Sequence, residues 1–162
     1  MIALHASEIA RIVGGSLHGT DCEVTAPAYL SSSQCVPGSI FLAIKGERVD
    51  GHDFAADAFA HGAVLVFASR VIEQRCIVVE DVTTAIGALA AYVRSQLSEM
   101  AVVGITGSQG KTTTKELLSA ILSAHGSTVS PKGNNNNELG VPITLLQCTS
   151  ETRYCIVEMG AR

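Results

Sequence analysis

The sequence predicts an α/β protein: a small N-terminal α/β domain, then the first part of a parallel-sheet domain built around a phosphate-binding loop (P-loop). Three observations carry this. Helix-like and strand-like apolar periodicities alternate along the whole chain, which argues helices packed on a largely parallel sheet. Residues 101–118 read as apolar strand, glycine-rich turn and helix in direct succession. The 162 residues are 47% apolar and 16% charged, ample for a packed core and unlike a disordered chain.

Taken in order, residues 7–13 predict a short helix with Ile9, Ile12 and Val13 on its apolar face, stopped by Gly14-Gly15. Residues 22–29 alternate weakly and read as a strand. Ser31-Ser32-Ser33-Gln34 is a polar loop, Pro37-Gly38 a turn, and residues 39–45 an apolar strand. After a loop at 46–51, residues 53–61 form a helix with Phe54, Ala58 and Phe59 inward, ended by Gly62. Residues 63–68 and 76–79 are buried strands. A helix capped by Thr83 or Thr84 follows, repeating Ile86, Leu89, Ala90, Val93 and Leu97 at helical spacing. It ends near Ser98-Glu99-Met100, which places the domain boundary between residues 1–98 and 99–162.

The second domain opens on the stretch that organises the chain. Val102, Val103 and Ile105 predict a strand buried on both faces. Leu117, Leu118, Ile121 and Leu122 predict the apolar face of the helix beyond. Between them, Gly107, Ser108, Gln109, Gly110, Lys111, Thr112 and Thr113 form the nucleotide-binding candidate. Glycines let backbone N–H groups curl around an anion, and the helix N-terminus adds positive potential. Lys111 reaches the β- and γ-phosphates in such a loop, and the Thr112 hydroxyl ligates Mg²⁺. The fit to G-x-x-x-x-G-K-S/T is imperfect, because Ile105 stands where the first glycine belongs. Residues 154–157 predict another buried strand ending at Glu158. A carboxylate at that end needs a charged partner, and a metal supplies one.

Composition excludes several classes. A net charge of −4 leaves no basic footprint for nucleic acid. No apolar run reaches membrane-spanning length, so no membrane insertion is expected, and the N-terminus reads as a short helix, not a signal peptide. The five cysteines, Cys22, Cys35, Cys76, Cys148 and Cys155, are dispersed without a C-x-x-C pair, which fits reduced, mostly buried thiols of a cytoplasmic protein. Asp50, His52 and Asp53 cluster, but read as a turn and helix cap.

The spacing G-x-x-G-x-x-G-K-T-T after a short apolar strand resembles the ATP site of the Mur ligases, ATP-dependent amide-forming enzymes of peptidoglycan synthesis. Lys115-Glu116 after the threonines resembles the branch that adds D-alanyl-D-alanine. Residues 133–142 are similar to that family's G-N-x-N-N-D/E-I/L-G-V-P segment, and residues 156–161 to its V-I/V-E-M/L-G-A. The resemblance implies ATP and Mg²⁺ as cofactors, and UDP-N-acetylmuramoyl-tripeptide and D-alanyl-D-alanine as substrates. It assigns Lys111, Asn136 and Asn137 to catalysis beside the γ-phosphate and the substrate carboxylate, and Thr112 and Glu158 to the metal. It also makes residues 36–63 part of a domain holding the UDP end of the substrate, with Ser32, Lys45 and Arg48 as contacts. The family's Asp-Ser/Thr-Arg triplet is here Ser31-Ser32-Ser33, without its two charged members, so either affinity for the UDP group is reduced or another residue such as Arg48 compensates.

Mur ligases run to three domains. By resemblance this chain ends inside the second, leaves an open apolar sheet edge that favours self-association, and does not ligate alone, while the full-length form is a monomer. Two other readings stand beside this one: a non-catalytic nucleotide or UDP-sugar binding module, and another phosphate-loop enzyme such as a small-molecule kinase.

Overall fold

A computed structural model of the chain describes residues 1–131 and 138–160. Asn136 and Asn137 lie outside the described residues. The chain forms two compact units, Met1–Leu89 and Ala90–Arg162. Both are mixed α/β with parallel strands.

The first unit holds β1 (Leu4–His5), α1 (Ala6–Val13), β2 (Ser16–His18), β3 (Glu23–Val24), β4 (Ala28–Tyr29), β5 (Ser39–Leu42), α2 (Ala55–Ala60), β6 (Ala63–Ala68) and β7 (Cys76–Val78). Its main sheet runs β2-β7-β6-β5-β4. Neighbours from β4 to β7 are parallel, and β2 closes the edge antiparallel to β7. Ile40, Phe41, Leu42, Leu65, Val66 and Phe67 are all but inaccessible, as central strands covered on both faces must be.

Four expectations are corrected in this unit. The strand expected over 22–29 breaks in two: Thr25 and Ala26 both donate their N–H to the Gly38 carbonyl, so β3 pairs with β1 and β4 with β5. The strand expected to reach Lys45 ends at Leu42, because the Ile44 carbonyl instead accepts the Gly51 N–H at 3.0 Å. The helix expected from residue 53 begins with a 3-10 turn, Gly51–Phe54. Its tighter winding leaves Phe54 43% exposed and turns His52 inward. Finally α3 (Val82–Gln96) is capped by Asp81, whose Oδ1 accepts the Thr84 N–H at 2.6 Å. Thr83 and Thr84 therefore sit inside the first turn. Ile86, Leu89, Ala90, Val93 and Leu97 are buried, as their spacing requires.

The second unit has β8 (Ala101–Ile105), α4 (Lys111–Ser123), β9 (Thr128–Val129), α5 (Gly140–Leu145) and β10 (Tyr154–Glu158). The three strands form a parallel sheet in the order β8-β10-β9. Only the middle strand is buried throughout its apolar run, at Cys155, Ile156 and Val157. β8 is an outer strand, which is why Val102 is 36% exposed and only Ile105 of the expected trio is buried. The inner face of α4 also differs from expectation. Lys115 (2% exposed) lies in helical phase with half-buried Leu118 and Leu122, while Leu117 and Ile121 stand 63% and 59% exposed. No helix among the described residues is long and apolar enough to cross a membrane.

Candidate functional site

β8 delivers the chain to the glycine turn, and α4 carries it away. Gly110, immediately before α4, adopts φ 77°, ψ 0°, a left-handed conformation that strains any residue with a side chain. The first intrahelical bond is Thr114 N–H to the Gly110 carbonyl, 2.9 Å. No side chain caps this end, so the amides of the first turn remain as donors for an anion, with the helix potential behind them.

Ser108, Gln109, Gly110, Lys111, Thr112 and Thr113 line an open cleft of about 220 Å³, and Glu158 completes it. Gly107 is absent from the lining, but its carbonyl accepts Lys111 Nζ at 2.6 Å. Glu158 arrives through the β8–β10 ladder, where it stands opposite Ile105. It is 3% exposed, and neither carboxylate oxygen has a hydrogen-bond partner among the described residues. A buried carboxylate in that state is costly unless a cation joins it. The structure thus brings Glu158, from the end of β10, to the same cleft as the adjacent Lys111 and Thr112.

The donor set suits Mg²⁺. One hydroxyl, one carboxylate, waters and substrate phosphate oxygens make its usual octahedral shell, which rarely needs a cage of protein ligands alone. Among the described residues no group of three or more His, Cys, Asp or Glu could hold a metal.

In the first unit a second pocket, of about 360 Å³, is lined in part by Phe41 and Ile44. Leu30, Ser31, Ser32, Gly46, Val49, Gly51 and Phe54 complete the lining. Ser32 is 8% exposed. Lys45 and Arg48 are exposed on the same 45–51 loop, outside the pocket lining. The Ser31 and Ser33 hydroxyls hydrogen-bond each other at 3.0 Å. Asp50 caps the 3-10 turn by accepting the His52 N–H, the turn-and-cap role expected for that cluster.

Two features escaped the sequence reading. Lys115 is buried and lies 3.3 Å from Glu116; its phase with Leu118 and Leu122 was the available signal. The His52 ring is engaged at both nitrogens, and no local pattern announces its partner, Ser69.

The Mur ligase middle-domain model matches residues 105–162. Over 163 aligned residues the chain is 44% identical to the UDP-N-acetylmuramoyl-tripeptide--D-alanyl-D-alanine ligase of Escherichia coli K12, covering 99% of this chain and 36% of that protein. A crystal structure of MurF from Acinetobacter baumannii matches with a TM-score of 0.84 at 38% identity, over 96% of this chain and 35% of that one. The chain belongs to the Mur ligase family. MurF from Thermotoga maritima, crystallised in complex with ADP, matches this Mur ligase chain with a TM-score of 0.63 at 36% identity, over 85% and 32% of the two chains. The chain spans about a third of the length of the curated relatives it matches.

Proposed function

We propose that this chain is the nucleotide- and UDP-sugar-holding part of an ATP-dependent ligase. The whole enzyme joins D-alanyl-D-alanine to UDP-N-acetylmuramoyl-tripeptide during peptidoglycan precursor synthesis in the cytoplasm. The observation that carries the reading is the buried, unpartnered Glu158 carboxylate in the cleft of the Lys111–Thr112 loop. Support comes also from the relatives' names and from the ADP held by the Thermotoga maritima protein.

In this reading residues 107–113 hold ATP: first-turn amides and Lys111 bind the phosphates, Lys111 leaving the Gly107 carbonyl to do so. Thr112 and Glu158 hold Mg²⁺, which when bound neutralises charge on the transferring phosphoryl group. Asn136 and Asn137 add amide donors beside the γ-phosphate and the substrate carboxylate. The carboxylate of the tripeptide attacks the γ-phosphorus, giving an acyl phosphate and ADP. The D-alanyl-D-alanine amine then displaces phosphate to form the amide. Positioning and charge neutralisation are what the first step needs, and these residues supply both.

The first domain, read as 1–98, holds the UDP end through Ser32, Lys45 and Arg48. This chain on its own binds nucleotide and does not ligate. The discriminating experiment measures ATP turnover with UDP-N-acetylmuramoyl-tripeptide, with and without D-alanyl-D-alanine, in the longer protein and in this chain. Turnover by the longer protein that requires the dipeptide supports the ligase. Turnover indifferent to the dipeptide favours a kinase, and binding without turnover in both favours a binding module.

A further inference from the structure

Gly46, Val49 and Gly51 of the 45–51 loop line the first unit's pocket, and apolar packing does little to hold the loop: Val49 is 56% exposed. Backbone bonds clasp it locally, from Gly51 N–H to the Ile44 carbonyl at 3.0 Å and from Gly46 N–H to the Val49 carbonyl at 2.9 Å. What anchors it to the sheet is His52. The side chain is 1% exposed, and Nδ1 lies 2.5 Å from Asp50 Oδ1. Nε2 receives the Ser69 backbone N–H at 3.1 Å, with the Ser69 hydroxyl at 3.2 Å. A backbone amide can only donate, so Nε2 is the bare nitrogen and Nδ1 carries the proton that Asp50 accepts. Asp50 Oδ1 also accepts the His52 N–H at 3.0 Å, and Oδ2 accepts from Arg70 Nη1 at 2.8 Å. Ser69 and Arg70 directly follow β6, the central strand of the sheet. A directional chain of bonds therefore runs from the end of β6 to the root of the pocket wall.

We propose that His52 is a positioning residue for this pocket: held between Asp50 and the Ser69 amide, it sets Gly46, Val49 and Gly51 as the wall against which a nucleoside diphosphate binds. The inference rests on the reading of this unit as the holder of the UDP end. An apolar side chain could fill the same buried volume, but only a side chain that offers a donor to Asp50 and an acceptor to the Ser69 amide joins the two. Such directional contacts fix a binding wall more tightly than packing of half-exposed side chains.

The test is calorimetric titration of the chain with uridine diphosphate, comparing the native sequence with His52→Ala, His52→Gln and Ser69→Ala. The native chain binds, and His52→Ala weakens binding by at least about tenfold. His52→Gln keeps an acceptor for the Ser69 N–H and recovers affinity to within about threefold, while Ser69→Ala, whose backbone donor is intact, binds as the native chain does. The thermal unfolding transition followed by circular dichroism stays unchanged in all of them, which separates lost positioning from lost folding of the first unit. If His52→Ala fails to fold, His52→Gln against His52→Met decides, since only the former keeps the acceptor. Equal affinity in native and variant chains overturns the positioning role while leaving the pocket reading intact. No uridine diphosphate binding by the native chain overturns the pocket reading, and this inference with it.

Discussion

Glu158 stands opposite Ile105 in the parallel ladder of β8 and β10, so the strand that feeds the glycine turn also fixes the carboxylate facing it. Backbone pairing, not side-chain contact, puts the acidic group there, and its two oxygens are buried without a hydrogen-bond partner among the described residues. The arrangement costs stability in the ligand-free chain and is relieved when a cation joins it.

Replacing this group should therefore separate stability from binding. Glu158→Leu removes the unpartnered charge, and we expect the ligand-free chain to gain about 1–3 kcal/mol. Mg²⁺ should then no longer strengthen ATP binding. Urea unfolding and ATP titrations with and without Mg²⁺ measure both. A loss of stability in the leucine variant would mean that the carboxylate is already satisfied.

The cap on α3 is a second, local test. Asp81 accepts the Thr84 N–H at 2.6 Å, and that bond is the main cause holding its carboxyl below the ordinary carboxylate range. Asp81→Ala should cost about 1 kcal/mol and lower the melting temperature by about 4–8 °C if the first unit melts alone. Thr83→Ala should cost much less.

Asp50 gives the chain an acid-sensitive element. The Arg70 guanidinium, foremost, and the His52 N–H and ring hold its carboxyl well below the ordinary value of 3.8. A depressed folded-state value stabilises the folded form above the ordinary value, and that contribution fades as pH falls below about 4. Unfolding by urea at pH 7, 4 and 3, followed by circular dichroism, should show the decline. Asp50→Asn should be less stable at pH 7 and flatter across the acid range. Identical pH profiles for the two would remove Asp50 from the account.

How far the sequence could be read depended on whether a signal was local. The strand, glycine turn and helix of residues 101–123 were legible because their residue types alone dictate the backbone. The α3 stripe from Ile86 to Leu97 was legible for the same reason. Phe54 was misplaced because one 3-10 turn changes the phase of the helix that follows, and apolar spacing does not reveal where that turn begins. Leu117 and Ile121 were expected inward, yet the buried face of α4 carries Lys115, Leu118 and Leu122; two faces of that helix are apolar enough to compete, and only tertiary packing chooses. The link from His52 to Ser69 spans 17 residues, and nothing in either segment names the other. At the cleft, the sequence marked Glu158 as a strand-end carboxylate, but its register opposite Ile105 is a property of the sheet.

The most direct measurement is a calorimetric titration of this chain with Mg-ATP, run beside Lys111→Ala. The account predicts saturable binding by the native chain, weakened roughly tenfold to a hundredfold by loss of one charge-assisted phosphate contact. Equal binding by both chains, or none by the native one, would contradict the claim that residues 107–113 and Glu158 form a working nucleotide site.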